Sequence, residues 1–271
     1  NNVIFMSDIL SENKHDLTVL LPAMRQAGAE IMAIHARGVT AELKQDSSPV
    51  TEADKAAERI LLAALAEHFP DIPVISEENP DSHKLSAAPC YFLVDPLDGT
   101  REFLRADSSG AFTVNIGLIE QGRASQGTIY APAFDRLCWT VFERDNLVAY
   151  QDDKNGITAL KIRALPLSGP VAVASRSHLD PNTSDFLTRE SISETLSIGS
   201  SLKFLLLADG QADIYPRYGP TMEWDTAAGE AILRAAGGTV LSEDGRQHVY
   251  GKAGWKNGPF IACAGYLPHS L

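Results

Sequence analysis

The stretch "FLVDPLDGTREF", residues 92–103, decides the fold, because an apolar run leads directly into two aspartates, a glycine and a threonine. A short apolar run is typical of a strand that is buried on both faces. Asp95 and Asp98 at its end could simply shape a turn, since Asp-Pro and Asp-Gly both favour turns. The same two acids could instead belong to a functional site, and the other acidic segments of the chain bear on that choice.

Length and charge set the first limits on function. The chain has 271 residues and 44% hydrophobic content, enough for a large core in one domain or in two packed layers. Its 35 acidic and 23 basic residues give a net charge of -12, which argues against nonspecific binding to nucleic acid or anionic lipid. No apolar run approaches the roughly 18 residues of a membrane span, and no segment suggests secretion.

The three cysteines are Cys90, Cys138 and Cys263, each alone in an apolar run. Their odd number and the absence of a Cys-x-x-Cys pair argue against a disulfide framework and against a zinc site. We therefore predict that all three are core thiols of a protein in a reducing compartment.

Two helices are predicted near the N-terminus. Apolar residues recur at steps of three and four over residues 15–37, and Gly38 closes the pattern. Pro22 either bends this helix or lies in its first turn. A second helix is predicted over residues 51–69, with Thr51 as its N-terminal cap. The intervening "KQDSSPV" is predicted to be a loop.

After the second helix the pattern changes to short β-rich runs separated by Gly, Pro and Asp. These runs are residues 72–76, 90–95, 112–120, 127–132 and 137–143. They predict an antiparallel or mixed sheet. From about residue 165 strands alternate with helices, which is typical of an α/β layer. We therefore expect one catalytic unit with an N-terminal half over residues 8–155 and a C-terminal half over residues 156–271.

Five carboxylates lie at the ends of predicted helices and strands, where binding sites are usually built. They are Asp54, Glu77, Asp95, Asp98 and Asp225. Asp54 has an alternative explanation, because "TEAD" matches a helix capping box, and Asp225 could be the N-cap of the helix that follows it. One shared site explains all five positions together, whereas the alternatives explain them one at a time.

Carboxylates gathered in one place cannot all stay ionised unless cations lie between them. Oxygen ligands with no histidine or cysteine nearby favour Mg²⁺ or Mn²⁺ over zinc. Two such ions, about 3.5 to 4 Å apart, can hold a phosphoryl group through both its attacking and its leaving oxygen. The sequence therefore predicts a two-metal site that can bind a phosphoryl group at the end of the apolar strand.

Four motifs carry a resemblance to a known family. They are "SPVTEAD" (48–54), "SEE" (76–78), "DPLDGT" (95–100) and "WDTAAG" (224–229). In this order they resemble the lithium-sensitive, Mg²⁺-dependent phosphatases of the inositol monophosphatase and fructose-1,6-bisphosphatase superfamily. Within it, "GTREF", "FTVNIGLIE", "SRSH" and the long segment from Gly199 to Gly229 are similar to the bacterial CysQ type of 3'(2'),5'-bisphosphate nucleotidase. The resemblance implies an α/β fold, a layered αβαβα sandwich.

The resemblance also assigns the metal ligands. Glu77, Asp95 and the carbonyl oxygen of Leu97 would bind the first ion, and Asp95, Asp98 and Asp225 would bind the second. Glu77 would be the protein ligand of a third, weaker ion that some family members hold. The expected cofactor is thus Mg²⁺, as two or three ions, and Mn²⁺ could substitute for it.

Catalytic roles follow in the same way. Thr100 and Asp54 match the pair that orients and deprotonates the attacking water, and Glu77 joins them through the third ion. Gly99 allows the backbone to approach a phosphate closely, and the N-terminus of the helix after Asp225 favours negative charge. The phosphate of the substrate is expected against Leu97, Asp98, Gly99, Thr100 and Asp225.

Four further residues match positions that contact nucleotide in relatives: His178, Gly199, Lys203 and, less closely, Arg217. A second phosphate on the substrate requires a cation away from the metals, and Lys203 or Arg217 could supply it. Each also has an ordinary explanation as loop polarity, a turn glycine or solvated surface charge. The loop over residues 104–112 is longer than the tight turn typical of the family, so its contacts are left unassigned.

The resemblance implies hydrolysis of adenosine 3',5'-bisphosphate to AMP and phosphate by a metal-activated water, in sulfur assimilation or nucleotide clearance. Adenosine 3'-phosphate 5'-phosphosulfate is a second expected substrate, and inositol monophosphate is the alternative. A catalytically silent nucleotide or metal sensor on the same fold is a different class. Haloacid dehalogenase phosphatases have Asp-x-Asp, whereas two residues separate the acids here. A cytoplasmic location is expected, with peripheral attachment to the inner membrane as the alternative.

Overall fold

The structure, a computed structural model, describes residues 15–38, 41–43, 49–105, 110–174 and 180–269. Its helices are α1 (Leu21–Arg37), α2 (Glu52–His68), α3 (Thr100–Phe103), α4 (Pro181–Arg189), α5 (Leu202–Ala208) and α6 (Ala227–Ala235). Its strands are β1 (Glu42–Leu43), β2 (Pro49–Val50), β3 (Val74–Ser76), β4 (Cys90–Asp98), β5 (Thr113–Glu120), β6 (Arg123–Ala131), β7 (Arg136–Glu143), β8 (Asn146–Asp153), β9 (Gly156–Ala159), β10 (Val171–Ala174), β11 (Glu194–Ser197), β12 (Ile214–Arg217), β13 (Thr239–Ser242) and β14 (Phe260–Cys263). Among these described residues no helix is both long and apolar enough to cross a membrane.

The first two helices form where the sequence predicts them. A short 3₁₀ turn precedes α1, Pro22 lies in its first turn and Gly38 ends it with a φ of 84°. Pro22 therefore starts the helix and does not bend it. At the start of α2, the Thr51 amide donates to Asp54 Oδ2 at 2.7 Å, and the Thr51 hydroxyl oxygen accepts from the Ala53 amide. This is the capping box predicted from "TEAD".

The larger sheet has seven strands in the order β3-β4-β5-β6-β7-β8-β9. β3 and β4 run parallel and the other neighbours are antiparallel, so the predicted mixed sheet is confirmed. β4 extends to Asp98, beyond the predicted end at Asp95, with a register shift between these two residues. The Asp-Pro-Leu-Asp segment is thus a bulged continuation of the strand and not a turn.

The hairpin of β8 and β9 was not predicted. Both strands lie at one edge of the larger sheet, and only one of their residues is fully buried. A strand with little buried surface does not need alternating apolar residues. The polar "QDDKNG" at residues 151–156 therefore gave no β signal, although it spans the end of β8 and the turn into β9.

The smaller sheet has five strands in the order β11-β10-β12-β14-β13. β10 lies parallel to both β11 and β12, whereas β14 is antiparallel to both β12 and β13. The predicted alternation of strands and helices holds for β10, α5, β12, α6 and β14. The short strands β11 and β13 and the helix α4 were missed.

Hydrophobic packing separates the layers on the two faces of the larger sheet. Phe92 and Val94 of β4 share one cluster with apolar residues of α1 and α2. Tyr91 and Leu93, which alternate with them, share another cluster with Trp224 beside α6. β4 is therefore buried on both faces, which explains its unbroken apolar run.

The remaining layers follow from two further clusters. Phe204 of α5 and Ile232 of α6 pack with Phe260 of β14, so these helices lie between the two sheets. Phe186 of α4 packs with Ile214 on the other face of the smaller sheet. The order of layers is helix, sheet, helix, sheet, helix, and the predicted αβαβα sandwich is confirmed.

A pair of glycines sets how closely α6 approaches the larger sheet. Gly117 of β5 and Gly127 of β6 face each other in register. A Cβ atom on Gly127 would lie 2.6 Å from the carbonyl oxygen of Ala228, and one on Gly117 would lie 2.6 Å from the Ala227 Cβ. The first turn of α6 therefore rests directly on bare strand backbone. This contact places the segment before α6, including Asp225, next to the end of β4.

Candidate active site

The end of β4 supplies the centre of the site. The Asp95 side chain is 1% exposed, and its Oδ1 accepts from the Leu97 amide at 3.0 Å. Gly99 follows with a φ of 94°, and a Cβ there would lie 2.8 Å from the Ala111 carbonyl oxygen. Only glycine meets both requirements easily, so it lets the chain turn from the bulged strand into α3.

Thr100, at the start of α3, faces Asp54 at the start of α2. The Thr100 Oγ1 lies 3.1 Å from Asp54 Oδ1 and 3.2 Å from the Leu97 carbonyl oxygen. Asp54 Oδ2 accepts from both the amide and the hydroxyl of Thr51, each at 2.7 Å. Burial raises the pKa of Asp54 against these hydrogen bonds, so its carboxylate accepts a proton more readily than an exposed one. Asp54 thus serves both as a capping residue and as the partner of Thr100.

Asp98 and Asp225 are linked by a serine that the sequence did not single out. The Ser201 Oγ lies 2.8 Å from Asp98 Oδ2 and 3.1 Å from the carbonyl oxygen of Asp225. Asn115 Nδ2 donates to the same Ser201 oxygen at 3.0 Å. Ser201 therefore orients Asp98 relative to the segment that carries Asp225. Within residues 199–203, only Gly199 and Lys203 are predicted site residues.

Asp225 does not cap α6, so the N-cap interpretation is wrong. The N-cap residue is Thr226, and Asp225 belongs to the 3₁₀ turn Glu223–Asp225 before it. Asp225 Oδ2 accepts from the Met222 amide at 2.7 Å instead. The carboxylate is held by the preceding turn because that turn has its own unpaired amide to satisfy.

The electrostatics of the cluster favour a cation. Burial, then the charges of Glu77, Asp98 and Asp225, raise the pKa of Asp95 well above its usual range. Burial and then Asp98 act in the same way on the pKa of Asp225. The pKa of Asp98 is also raised by burial, although Lys203 and Ser201 oppose the shift. All the side-chain donors are oxygens, so the set fits a hard divalent ion such as Mg²⁺.

Two of these side chains are in contact, because Asp95 and Glu77 share a hydrogen bond. Among the described residues, no three of these carboxylates have donor atoms that all lie within 4.8 Å of one another. Neighbouring ligands of an octahedral Mg²⁺ lie only about 3 Å apart. The Glu77 amide donates to the Val94 carbonyl oxygen at 3.0 Å, which holds Glu77 beside β4. A third acidic side chain would have to move nearer to Glu77 and Asp95 for all three to bind one ion.

Two basic side chains lie on the α5 and β12 side of the cluster. Lys203 is 7% exposed, so it is not the solvated lysine of the ordinary explanation. Its Nζ donates to the Ser200 carbonyl at 2.6 Å and lies 5.3 Å from the centre of the Tyr215 ring. Burial lowers the pKa of Lys203 to about 8, although the charge of Asp98 acts against the shift. Arg217 donates to the carbonyls of Gly219 and Pro220 at 3.2 and 3.1 Å.

Gly199 and His178 complete the predicted nucleotide contacts. A Cβ on Gly199 would lie 3.0 Å from the Glu102 side chain and 3.2 Å from the Ala111 carbonyl oxygen. Gly199 thus brings the start of α5 close to α3, and it is not a turn glycine with positive φ. His178 lies outside the described residues, as do residues 106–109 of the loop over 104–112.

One protein family matches the chain over almost the whole of its sequence. The inositol monophosphatase family profile matches residues 12–264. The chain belongs to the inositol monophosphatase family. Membership excludes the haloacid dehalogenase alternative, whose strand motif has one residue fewer between its acids.

Individual members of the inositol monophosphatase family are similar to the chain at two levels. The 3'(2'),5'-bisphosphate nucleotidase CysQ of Salmonella typhimurium is 44% identical over 230 residues, which cover 83% of this chain and 90% of that protein. The protein of the same name from Buchnera aphidicola is 40% identical over 246 residues, 89% and 90% of the two chains. The crystal structure of CysQ from Bacteroides thetaiotaomicron, described as a bacterial member of the family, superimposes with a TM-score of 0.76 at 33% identity. That superposition covers 98% of this chain and 100% of the other.

Proposed function

We propose that this chain is a Mg²⁺-dependent 3'(2'),5'-bisphosphate nucleotidase that hydrolyses adenosine 3',5'-bisphosphate to AMP and phosphate. The observation that carries the proposal is the contact between Thr100 and Asp54 beside the buried carboxylate of Asp95 and the half-buried carboxylate of Asp98. Two relatives named as this nucleotidase are 44% and 40% identical to the chain over 83% and 89% of its length. The family consists of metal-dependent phosphatases.

Four acidic side chains and one carbonyl would hold the metal. Glu77, Asp95 and the Leu97 carbonyl would hold one ion, and Asp95, Asp98 and Asp225 a second; Glu77 would also hold a third, weaker ion. The raised pKa values of the three aspartates support this, because a group of buried carboxylates needs positive charge to remain ionised together. When bound, Mg²⁺ supplies that charge, lowers the pKa of water and stabilises the leaving oxygen.

Thr100 and Asp54 would orient the attacking water and take its proton. The Thr100 hydroxyl has a single proton, which it can give either to Asp54 Oδ1 or to the Leu97 carbonyl. If the Leu97 carbonyl is engaged as a ligand, the Thr100 proton points to Asp54 and the hydroxyl oxygen is free to accept from water. Asp54 Oδ2 already accepts two bonds from Thr51, so Oδ1 is the oxygen that receives the proton.

The second phosphate of the substrate would lie on the Lys203 side of the site. Lys203 is buried, and its ammonium group is close enough to Asp98 for their charges to affect each other's pKa. Arg217 lies near enough to Lys203 to lower the pKa of the lysine. A phosphate between these two cations would stabilise both charged forms. An acidic protein with a net charge of -12 needs such local cations to bind a dianion.

A substrate panel tests the proposal directly. Phosphate release is measured with and without Mg²⁺ on adenosine 3',5'-bisphosphate, its 5'-phosphosulfate analogue, inositol 1-phosphate and fructose 1,6-bisphosphate. We expect the highest kcat/KM on adenosine 3',5'-bisphosphate and no turnover without a divalent ion. A preference for inositol 1-phosphate would make the chain an inositol monophosphatase, and no turnover on any ester would favour the silent sensor.

Asp98→Asn tests the metal ligands within the same assay. A neutral amide is a poor ligand for a hard cation, so we expect turnover to fall about a hundredfold or more. The circular dichroism spectrum should not change. Asp81→Asn, which removes an exposed carboxylate paired with Lys84, is the matched control and should keep full activity. Normal activity in Asp98→Asn would remove this residue from the metal site.

A further inference from the structure

One group of potential metal ligands lies away from the active site. Among the residues that the structure describes, His15, Cys90 and Glu120 are the three whose donor atoms all lie within 4.8 Å of one another. Cys90 is the first residue of β4, whereas Asp95 is five residues further along the strand. At about 3.3 Å per residue, these two ends are roughly 17 Å apart. The group is therefore separate from the carboxylates of the proposed active site.

Backbone geometry brings two of the three side chains together. Cys90 and Glu120 lie directly opposite each other in the β4–β5 register, so their side chains extend from the same face of the sheet. Ser125 donates a hydrogen bond to Glu120 Oε2, which fixes the carboxylate and leaves Oε1 for another partner. This pair is placed by the sheet itself.

His15 reaches the pair from the segment before α1. Its backbone carbonyl accepts from Gln126 Nε2 at 2.6 Å, which ties this segment to β6. Its ring meets the Phe69 ring edge-on, with 5.8 Å between the centroids. The backbone and the ring of His15 are thus both positioned by contacts that leave the ring nitrogens next to Cys90 and Glu120.

We propose that His15, Cys90 and Glu120 form a second metal site, which binds a zinc-class divalent cation with three protein ligands and one position open to water. Imidazole nitrogen, thiolate sulfur and carboxylate oxygen are the three donor types that Zn²⁺ takes in proteins. The ligand atoms of a tetrahedral Zn²⁺ lie about 3.4 to 3.6 Å apart, so each pair of ligand atoms has to close by about 1.4 Å at most. Mg²⁺ does not use sulfur or nitrogen donors of this kind, so the two sites select different metals.

A reactive thiol is the competing explanation for Cys90, and its surroundings argue against that role. Burial and the charge of Glu120 raise the pKa of the Cys90 thiol to about 11. The free side chain is therefore a neutral thiol at pH 7 and a weak nucleophile. Metal binding replaces the thiol proton, which passes to the solvent, and places positive charge beside Glu120. The prediction that every cysteine is a core thiol fails at Cys90, which is only half-buried.

Metal binding at this second site would stabilise the fold. The three ligands come from the segment before α1, the start of β4 and the end of β5. A metal would join the N-terminal layer to the strand that carries the active-site acids at its other end. Because it binds the folded chain only, it would raise the unfolding temperature in proportion to the logarithm of its concentration.

Cobalt provides a direct test on the full chain. Protein treated with a chelator is first given excess Mg²⁺, so that the oxygen ligands of the active site are filled, and is then titrated with Co²⁺. We expect one equivalent to produce tetrahedral absorption bands and a thiolate-to-cobalt charge-transfer band, both lost on adding Zn²⁺. In Cys90→Ser the charge-transfer band should disappear, and in His15→Ala the Co²⁺ affinity should fall roughly tenfold or more.

Matched variants make the result decisive. His68→Ala removes an exposed histidine that packs against the same Phe69 ring, and it should bind Co²⁺ as the unaltered protein does. Circular dichroism and the unfolding temperature without metal should confirm that Cys90→Ser is folded. The absence of a charge-transfer band in the unaltered protein would overturn the proposal. The same band in Cys90→Ser would overturn it as well, because Cys138 or Cys263 would then be the ligand.

Discussion

The Thr100 hydroxyl lies 3.1 Å from Asp54 Oδ1, and this contact joins the chain after β4 to the first turn of α2. Thr100→Ala tests it, because the variant removes the hydroxyl and leaves Asp54 bonded to Thr51. If Thr100 passes the proton of the attacking water to Asp54, kcat should fall about 10² to 10⁴-fold with a smaller change in KM. Steady-state kinetics on adenosine 3',5'-bisphosphate is the measurement.

Thr100→Ser is the matched control for this prediction. It keeps the hydroxyl and should retain turnover within about tenfold of the unaltered chain. Asp54→Asn is less informative, since it also disturbs the capping box of α2 and thereby stability. Thr100→Ala turnover close to that of Thr100→Ser would show that the hydroxyl takes no part in the reaction.

Lys203→Met should separate binding of the second phosphate from chemistry at the first. Methionine fills the space beside Tyr215 without the charge, so the fold should survive. We expect KM for adenosine 3',5'-bisphosphate to rise about tenfold or more, while KM for a monophosphate changes little. A rise in KM of equal size on both substrates would mean that Lys203 orients Asp98 instead, because the lysine charge also acts on that carboxylate.

The contrast between Asp54 and Ser201 shows how far the sequence reaches. Asp54 carries a local signal, since a capping box depends on residues three apart, and the structure confirms it. Ser201 acts on Asp98, 103 residues away, and such a contact has no trace in local spacing. The layered αβαβα fold was implied by the family resemblance, and the apolar run of β4 and the periodic patterns of the two N-terminal helices agree with it. Which loops meet across the two sheets depends on packing between distant segments.

Burial was harder to predict than the position of strands and helices. From its residue type alone, Lys203 would be a solvated surface lysine. The helix α5 is nevertheless buried between the two sheets, and the lysine is buried with it. Cys90 was predicted to lie in the core, yet it is at the start of β4 where the strand emerges. In both cases the tertiary position of the element, and not the residue type, decides exposure.

Glu230 should make stability depend on pH. Its carboxylate is 3% exposed and accepts from the Tyr250 hydroxyl at 2.7 Å. Burial raises its pKa from 4.5 to about 7, with the Tyr250 bond and Arg234 acting against the shift. Between pH 4.5 and about 7 the folded state therefore binds more protons than the unfolded state. The contribution of Glu230 to the free energy of unfolding is fully present below pH 4.5 and is lost as the pH rises through about 7.

Glu230→Gln removes this titration and keeps an acceptor for Tyr250. Relative to the unaltered chain, the variant should gain stability as the pH rises from 5 to 8, by up to roughly 3 kcal/mol. Urea unfolding at both pH values measures the gain. Comparing the two proteins cancels the titration of the active-site aspartates and of His248, which the substitution does not touch. A gain that is the same at both pH values would show that Glu230 is already ionised throughout this range.

Gly127 should tolerate no side chain, because α6 rests on it. A Cβ there would lie 2.6 Å from the Ala228 carbonyl oxygen and 2.7 Å from the Ala228 Cα, and backbone cannot move aside as a flexible side chain can. Gly127→Ala should therefore lift α6 and destabilise the chain by about 1 to 3 kcal/mol. Asp225 lies just before α6, so turnover should fall too, and the concentration of Mg²⁺ needed for half-maximal activity should rise.

Gly258→Ala is the control for the close approach of α6. A Cβ on Gly258 meets nothing within 4 Å, and its φ is not in the left-handed region. The free energy of unfolding of this variant should lie within about 0.5 kcal/mol of that of the unaltered chain, and the Mg²⁺ dependence of its activity should not change. Urea unfolding and a Mg²⁺ titration of activity on both variants decide the matter. If Gly127→Ala were as stable and as active as Gly258→Ala, the contact between Gly127 and Ala228 would not be what holds Asp225 near the end of β4.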